Sequence, residues 1–280
     1  MLLGAQVSTA GHIYDSVTRA LELGCNTMQI FSRDPRQWRK GKLKPEDIEK
    51  FRKLRQDSKI SPVFVHIPYL INLASPYNIL YRGSIRAYIE DIKEAALLGV
   101  DYIVTHMGSH KKSGEGKGIK RITAALNKIL AKTKDNSPSI LLENTAGSGS
   151  WLGYKFEHQR NIIDGIENKD KIGVCFDTCH GFVAGYDLST AKGYKDTFDQ
   201  MDKIVGLDKL KLIHLNDAKD ELLSHRDRHE HIGKGKIGLE GFRRLVNDSR
   251  LKDVAFILET PKDSDTADKM NLSLVRSLKR

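Results

Sequence analysis

Cysteine, proline and long hydrophobic runs are all scarce in this sequence. Only 3 cysteines and 7 prolines occur in 280 residues, which excludes a disulfide scaffold and a proline-rich low-complexity chain. Apolar runs such as 62–67 are far shorter than the roughly 20 residues that a membrane helix needs. The first ten residues lack the basic start and apolar run of a secretory signal, and unpaired cysteines suit a reducing compartment. We therefore expect a cytoplasmic protein that does not associate with membranes.

Acidic residues are also fewer than basic ones. The chain has 46 Lys and Arg against 36 Asp and Glu, a formal net charge of +10. A positive field of this size concentrates polyanions near the surface and speeds their approach, but it does not identify the polyanion. A basic protein with no nucleic-acid partner has the same composition, so charge alone leaves both interpretations open.

Short apolar runs recur along the whole chain and predict buried strands. They are continuous rather than alternating, which is typical of strands covered on both faces in a parallel sheet. The segments between them have helical character, as in 45–59, where Pro45 suits the first helical position. The eight predicted strands are 2–7, 27–31, 62–67, 102–106, 139–143, 172–177, 210–215 and 254–259.

Eight strands alternating with helices predict an α/β fold, a (β/α)8 TIM barrel, formed by one domain over residues 1–280. The alternative is an open doubly wound sheet. That fold often carries a G-x-G-x-x-G sequence after its first strand, and this chain has none.

Residue types that bind metals stand at the predicted strand ends, where a barrel places its active site. A single histidine or carboxylate at a strand end is usually an ordinary hydrogen-bonded residue, but six consecutive strands ending this way favour a common site. His180 lies three residues after the end of the sixth strand, and two further candidates lie in the polar segment after the seventh strand. The nine candidates are His66, His106, Glu143, Asp177, His180, His214, Asp227, His229 and Glu259.

The composition of this group favours a multinuclear zinc centre. Four carboxylates meeting at one rim would repel each other unless cations held them. Five histidines among nine ligands favour zinc over magnesium or calcium, and nine ligands suit two or three ions. Three Zn²⁺ ions against four carboxylates leave a surplus of about two positive charges, which suits the cleavage of a phosphodiester.

The segments around these residues resemble the endonuclease IV family of apurinic/apyrimidinic (AP) endonucleases. They are FVHIPYLINLASP (64–76), THMGSH (105–110), LLENTAGSGS (141–150), CFDTCHGFVAGYDL (175–188), HLNDAK (214–219), DRHEHIGKGKIG (227–238) and ILETP (257–261). The resemblance implies a xylose-isomerase-like TIM barrel with three zinc ions per chain. It also implies an enzyme that cleaves double-stranded DNA on the 5′ side of an abasic site, leaving a 3′-hydroxyl, with 3′-phosphodiesterase activity and a monomeric state.

Carried over to this sequence, the family pattern divides the nine residues among three ions. His66 and His106 would bind the first ion, and Glu143 would bridge it to the second. Asp177, His214 and Glu259 would complete the second site, while His180, Asp227 and His229 would hold the third. Glu143 and Glu259 are the residues that the resemblance implies for catalysis.

The resemblance also implies contacts with DNA. Arg36 would enter the base stack from the loop after the second strand, and Tyr69 and Leu70 would form a second wedge. The sequence departs from the family at Gln6, where a histidine is usual, and at His12 and Met107. None of these three is a ligand candidate, so we expect altered surroundings of the site and no loss of metal.

Two alternatives remain at this point. A sugar isomerase or epimerase on the related barrel would have fewer histidine ligands and no reason for a charge of +10. A catalytically silent DNA-binding barrel would be expected to have lost ligands.

Overall fold

Eight parallel strands form the centre of the molecule. The computed structural model describes residues 1–34, 37–38, 41–133 and 137–280. The strands are β1 (Leu2–Ala5), β2 (Met28–Phe31), β3 (Val63–His66), β4 (Tyr102–His106), β5 (Ser139–Glu143), β6 (Ile172–Asp177), β7 (Leu210–Leu215), the short pair β8 (Asp217–Ala218) and β9 (His229–Glu230), and β10 (Ala255–Leu258). Strands β8 and β9 pair with each other and stand outside the main sheet.

The main sheet closes into a ring, which confirms the predicted barrel. Its strand order is β1-β10-β7-β6-β5-β4-β3-β2. A parallel backbone bridge between Gln6 and Gln29, just beyond β1 and within β2, joins the two ends of this order. The amide of Val7 also donates to the carbonyl of Gln29 at 2.8 Å.

Helices connect the strands and cover the outside of the barrel. They are α1 (Asp15–Glu22), α2 (Pro45–Ser58), α3 (Asn78–Leu98), α4 (Glu115–Lys132), α5 (Phe156–Asp164), α6 (Thr178–Ala184), α7 (Ala191–Ile204), α8 (Gly238–Asn247) and α9 (Ala267–Leu278). Helix α2 begins at Pro45, as predicted, and ends before Lys59, which has left-handed backbone angles. Among the described residues, no helix is both long and apolar enough to cross a membrane.

The strands are apolar on both faces because each face packs against a different layer. One face packs against the helices in a large core that includes Val65, Ile103 and Leu142. The other face fills the barrel interior with a smaller cluster, which contains Phe64, Val104, Leu141, Cys175, Leu212, Ala255 and Ile257. This double burial explains the continuous apolar runs in the sequence.

Gly4 in β1 allows the close approach of the neighbouring strand segment. A methyl group at this position would overlap the carbonyl oxygen of Thr27 and lie 3.0 Å from the Ile257 side chain.

We expect Gly4→Ala to lower the free energy of unfolding by about 1–3 kcal/mol, as overpacking does in a rigid core. The matched control is Gly83→Ala in α3, where no atom of the described part of the chain lies within 4 Å of the added methyl. That change should stabilise the helix by roughly 0.5–1 kcal/mol. Equal denaturation midpoints for the two variants would contradict this account of the barrel closure.

Candidate metal centre

Six of the nine ligand candidates lie in one layer at the carboxyl end of the barrel. Each stands two residues after a member of the inner apolar cluster, as His66 follows Phe64 and Glu143 follows Leu141. Because side chains on a strand alternate between faces, these six residues point into the barrel directly above that cluster. The layer therefore contains His66, His106, Glu143, Asp177, His214 and Glu259.

The first ligand set consists of His66, His106 and Glu143. The Nε2 atoms of His66 and His106 lie 2.9 Å and 3.1 Å from Oε2 of Glu143. The candidate ligand atoms of the three residues all lie within 4.8 Å of one another. These residues are close enough to share one metal ion.

The second ligand set consists of Glu143, Asp177, His214 and Glu259. Its centre is Nδ1 of His214, which lies 3.1 Å from Oε1 of Glu143, 3.3 Å from Oε2 of Glu259 and 3.8 Å from Oδ2 of Asp177. Glu143 thus turns one carboxylate oxygen towards the first set and the other towards the second. This is the arrangement expected of a bridging carboxylate.

The third ligand set consists of His180, Asp227 and His229. Oδ1 of Asp227 lies 3.1 Å from Nε2 of His180 and 3.4 Å from Nε2 of His229. His180 is held in the first turn of α6, where its backbone amide donates to the Asp177 carboxylate at 2.8 Å. His229 stands in β9, so the small β8–β9 hairpin brings the third set together.

Main-chain carbonyls orient three of the five histidines. Nδ1 of His66 lies 2.7 Å from the carbonyl of Ile67, and Nδ1 of His180 lies 3.0 Å from that of Asn144. Nδ1 of His229 lies 3.1 Å from the carbonyl of Glu259. Since a carbonyl accepts only from a protonated nitrogen, each ring turns its Nε2 towards a ligand set.

The unpaired nitrogen of His229 shows that a cation fits this centre. Its Nε2 is buried and has no hydrogen-bond partner among the described residues. The same atom faces Asp227 at 3.4 Å and Asp177 at 3.7 Å. A buried nitrogen lone pair beside two carboxylates is costly without a partner, and a metal ion supplies one.

The ionisation of these groups is strongly coupled. Burial opposes the charge on Glu143, but the charges and hydrogen bonds of His106 and His214 hold the pKa of its carboxyl well below the ordinary value. Burial alone would lower the pKa of His180, yet the charges of Asp177 and Asp227 raise it well above its usual range. Burial likewise opposes the charge on His214, whose pKa is raised well above its usual value by Cys175, Glu259 and Glu143. His180 and His214 therefore favour their protonated forms in the absence of metal.

Two asparagines support the ligands and were not singled out from the sequence. Asn144 accepts from the backbone amide of Asp177 at 2.6 Å and donates to its carbonyl at 3.0 Å. Asn216 donates to Oδ2 of Asp177 at 2.7 Å and accepts from the amide of Glu259 at 2.9 Å. Asn144 directly follows Glu143, and Asn216 stands two residues after His214. Their position at the strand ends is the sequence signal that could have identified them.

Two buried free cysteines lie beside the centre. The Cys175 sulfur lies within 4.8 Å of candidate ligand atoms of Glu143 and His214. The Cys179 sulfur lies within the same distance of those of Asp177 and His229. Burial raises the pKa of the Cys175 thiol to about 12. Both buried thiols therefore border the ligand sets, a placement that the sequence analysis did not predict.

Tyr69 and Leu70 lie in the turn after β3, at the mouth of the centre. Tyr69 is 52% exposed, and its ring centroid lies 5.9 Å from that of His66 and 5.6 Å from that of His106. Leu70 is half-buried. Arg36, the third predicted DNA contact, lies outside the described residues.

A cavity of about 250 Å³ opens between Tyr69 and Trp151. The ligand candidates His106, His180 and Asp227 form part of its lining, together with the loop 145–148. The sequence reasoning did not identify Trp151, because a lone tryptophan in a loop carries no distinctive pattern.

Comparison with known proteins assigns the chain to a family. The model of a family described as "Xylose isomerase-like TIM barrel" matches residues 17–279. A relative from Chloroflexus aurantiacus, named "Probable endonuclease 4", is 45% identical over 98% of this chain and 97% of its own length. A second protein of that name, from Halothermothrix orenii, is 44% identical over the whole of both chains.

This chain belongs to the endonuclease IV family. The crystal structure of endonuclease IV from Thermus thermophilus has a TM-score of 0.89 and 37% sequence identity, and the match covers 99% of this chain and 98% of that one. The family resemblance drawn from the strand-end motifs is thus confirmed.

More distant barrels show a likeness of fold to this chain. A D-tagatose 3-epimerase-like protein has a TM-score of 0.72 at 19% identity, over 99% of this chain and 96% of that one. Identity this low shows a common barrel and nothing about the reaction. The epimerase alternative gains no support from it.

Proposed function

We propose that this protein is a zinc-dependent DNA-repair endonuclease. It hydrolyses the phosphodiester on the 5′ side of an abasic site, leaves a 3′-hydroxyl, and removes 3′-blocking phosphoesters at the same centre. The observation that carries the proposal is the convergence of nine ligand candidates in three linked sets at one mouth of the barrel. Relatives named "Probable endonuclease 4", 44–45% identical over almost the whole chain, support it.

The residues suit three zinc ions. The first set would hold one ion, the second set another with Glu143 shared between them, and the third set the last. When bound, zinc ions neutralise charge on phosphoryl oxygens and lower the pKa of water, which suits an in-line displacement.

The residues of the chain supply position and charge. Glu143 would hold the first and second sets at a fixed separation, because its two oxygens face different sets. Glu259, with its Oε2 towards His214, would complete the second set. Asp227 is half exposed at the rim, so the third set is the one most open to a DNA strand.

DNA is the proposed macromolecular partner. The net charge of +10 favours a polyanion, and exposed Tyr69 stands over the first set at the mouth of the barrel. An abasic nucleotide has no base to stack on its neighbours, so it leaves the duplex at a lower cost in free energy than a normal nucleotide. Tyr69, Leu70 and Arg36 would occupy the gap that it leaves.

A duplex with one synthetic abasic site tests this function. The protein should nick the damaged strand on the 5′ side of the lesion, and a DNA polymerase should extend the new 3′ end directly. Chelator should prevent the cut. A nick on the 3′ side, or an end that the polymerase cannot extend, would contradict the proposed hydrolysis.

Tyr69→Ala should weaken binding to the abasic duplex more than binding to an intact duplex. Stacking of a base on an aromatic ring is worth about 1–3 kcal/mol, so the dissociation constant should rise roughly 5- to 150-fold. Leu97→Ala is the control, since Leu97 is also 52% exposed but lies near the end of α3, at the opposite mouth. Equal losses on the two duplexes would show that Tyr69 does not recognise the lesion.

The number of domains, the oligomeric state and the cellular location remain predictions. We propose one domain over residues 1–280, since elements of the barrel extend from Leu2 to Leu278. We also propose a monomer, which the family resemblance implies, and a location in the cytoplasm, for which the sequence composition is the support.

A further inference from the structure

Two glutamines complete the polar layer that contains the ligand candidates. Gln29 is the second residue of β2, and Gln6 immediately follows β1. Both are buried, with 0% and 9% of their surface exposed. The eight strands of the barrel thus contribute six ligand candidates and these two amides at the same level.

The hydrogen bonds of Gln29 fix the orientation of its amide. Its Nε2 donates to Oε1 of Gln6 at 2.8 Å and to Oε1 of Glu259 at 2.6 Å. Its Oε1 lies 2.9 Å from Nε2 of His214. A carboxylate oxygen can only accept, so the nitrogen of Gln29 must face Glu259 and its oxygen must face His214.

This orientation determines the tautomer of His214. Because Oε1 of Gln29 is an acceptor, Nε2 of His214 must carry the hydrogen. The other nitrogen, Nδ1, then faces Glu143 and Glu259 in the second set at 3.1 Å and 3.3 Å. His66, His180 and His229 are oriented by main-chain carbonyls, whereas the partner of His214 is a side chain that substitution can remove.

Gln29 also orients Glu259. Its amide holds Oε1 of the carboxylate, which leaves Oε2 facing His214 in the second set. One amide therefore contacts two of the four members of this set. Gln6 is its remaining partner and prevents the amide from turning.

We propose that Gln29 is a positioning residue for the second ligand set, with Gln6 holding it in place. It keeps Nδ1 of His214 and Oε2 of Glu259 available to a metal ion. The inference rests on the proposed function, because it assigns these residues to a metal centre. It adds a specific claim, namely that the second ion depends on a glutamine that does not itself bind metal.

The test compares Gln29→Met with Gln159→Met in the zinc-loaded protein. Gln159 is another buried glutamine, and its amide donates to the main-chain carbonyl of Leu142, away from the ligand side chains. Methionine has nearly the same length and shape and cannot donate a hydrogen bond. Zinc retained per chain is measured after dialysis against a graded series of chelator concentrations, together with the thermal midpoint of the metal-free forms.

Loss of a partner that orients a metal ligand typically weakens metal binding about 10- to 100-fold. Gln29→Met should therefore release one of its zinc ions at a chelator concentration lower by that factor, while the other two remain. Gln159→Met should release zinc at the same chelator concentration as the wild type. This difference should hold even if Gln29→Met and Gln159→Met lower the thermal midpoint by the same amount. Added zinc should restore nicking of the abasic duplex by Gln29→Met.

Identical zinc release by Gln29→Met and the wild type would overturn the inference and leave the proposed function intact. If Gln29→Met does not fold, Gln6→Met takes its place, with a smaller shift in the same direction expected and no shift overturning the inference. A wild-type protein that never holds three zinc ions would overturn the proposed function and this inference together.

Discussion

Glu143→Gln is expected to abolish cleavage of an abasic duplex while the barrel stays folded. The carboxylate turns Oε2 towards His66 and His106 and Oε1 towards His214, so both oxygens are engaged. A glutamine of the same shape offers one acceptor oxygen, and its NH₂ group would confront a ligand nitrogen or a metal ion. The nicking rate should fall by more than about 100-fold, the upper range for groups that merely support a metal ligand.

The control for this experiment is Glu115→Gln. Glu115 also faces a histidine, with Oε2 3.4 Å from Nε2 of His158, and accepts from the hydroxyl of Tyr154 at 2.6 Å. It lies outside the three ligand sets. Removing its charge should leave nicking within a few-fold of wild type. If Glu143→Gln still binds three zinc ions and cleaves at a comparable rate, the bridging role is wrong.

Removing the metal should eliminate activity and lower the thermal stability of the protein. A ligand that binds only the folded state stabilises it by about 2.7 kcal/mol when its free concentration is 100 times the dissociation constant. At about 2–4 °C per kcal/mol, each such ion should raise the melting temperature by roughly 5–10 °C. Chelation followed by stepwise return of zinc should show this rise and the recovery of nicking.

The stabilisation by zinc should depend on pH. In the metal-free centre the pKa values of His180 and His214 lie well above the usual range, so both rings hold protons near neutral pH. Their interactions with the neighbouring acidic groups stabilise the metal-free form fully below the ordinary histidine pKa and are lost as the pH rises through the raised values. Zinc must displace these protons, so its affinity should fall as the pH falls.

An increase in melting temperature on adding zinc that is the same at every pH would contradict this coupling. Calorimetry in buffers of different ionisation enthalpy provides a second measure, because zinc uptake should release protons to the buffer. No proton release would show that the histidines are already neutral in the metal-free protein.

The barrel and the ligand layer could be predicted because both follow from the alternation of side chains between the two faces of a strand. A strand buried on two faces leaves a continuous apolar run, and the residue that ends the run lies at the mouth of the barrel. His106, Glu143 and Asp177 are each the last residue of their strand, and Glu259 directly follows the end of β10. Their clustering was therefore readable without any knowledge of tertiary contacts.

The supporting residues could not be predicted in the same way. Gln29 is linked to Glu259 by a contact that spans 230 positions in the sequence, and an amide inside a strand has no distinctive pattern. The β8–β9 hairpin has two residues on each side, too few for a periodic signal, although it places His229. Such features depend on the register between distant segments, which sequence periodicity does not determine.

The zinc content of the purified protein tests the central claim most directly. Protein expressed with zinc and freed of loosely bound metal should contain close to three zinc ions per chain by elemental analysis. Asp227→Asn, which alters only the third set, should reduce this number towards two. One ion or none in the wild-type protein would contradict a centre built from three linked ligand sets.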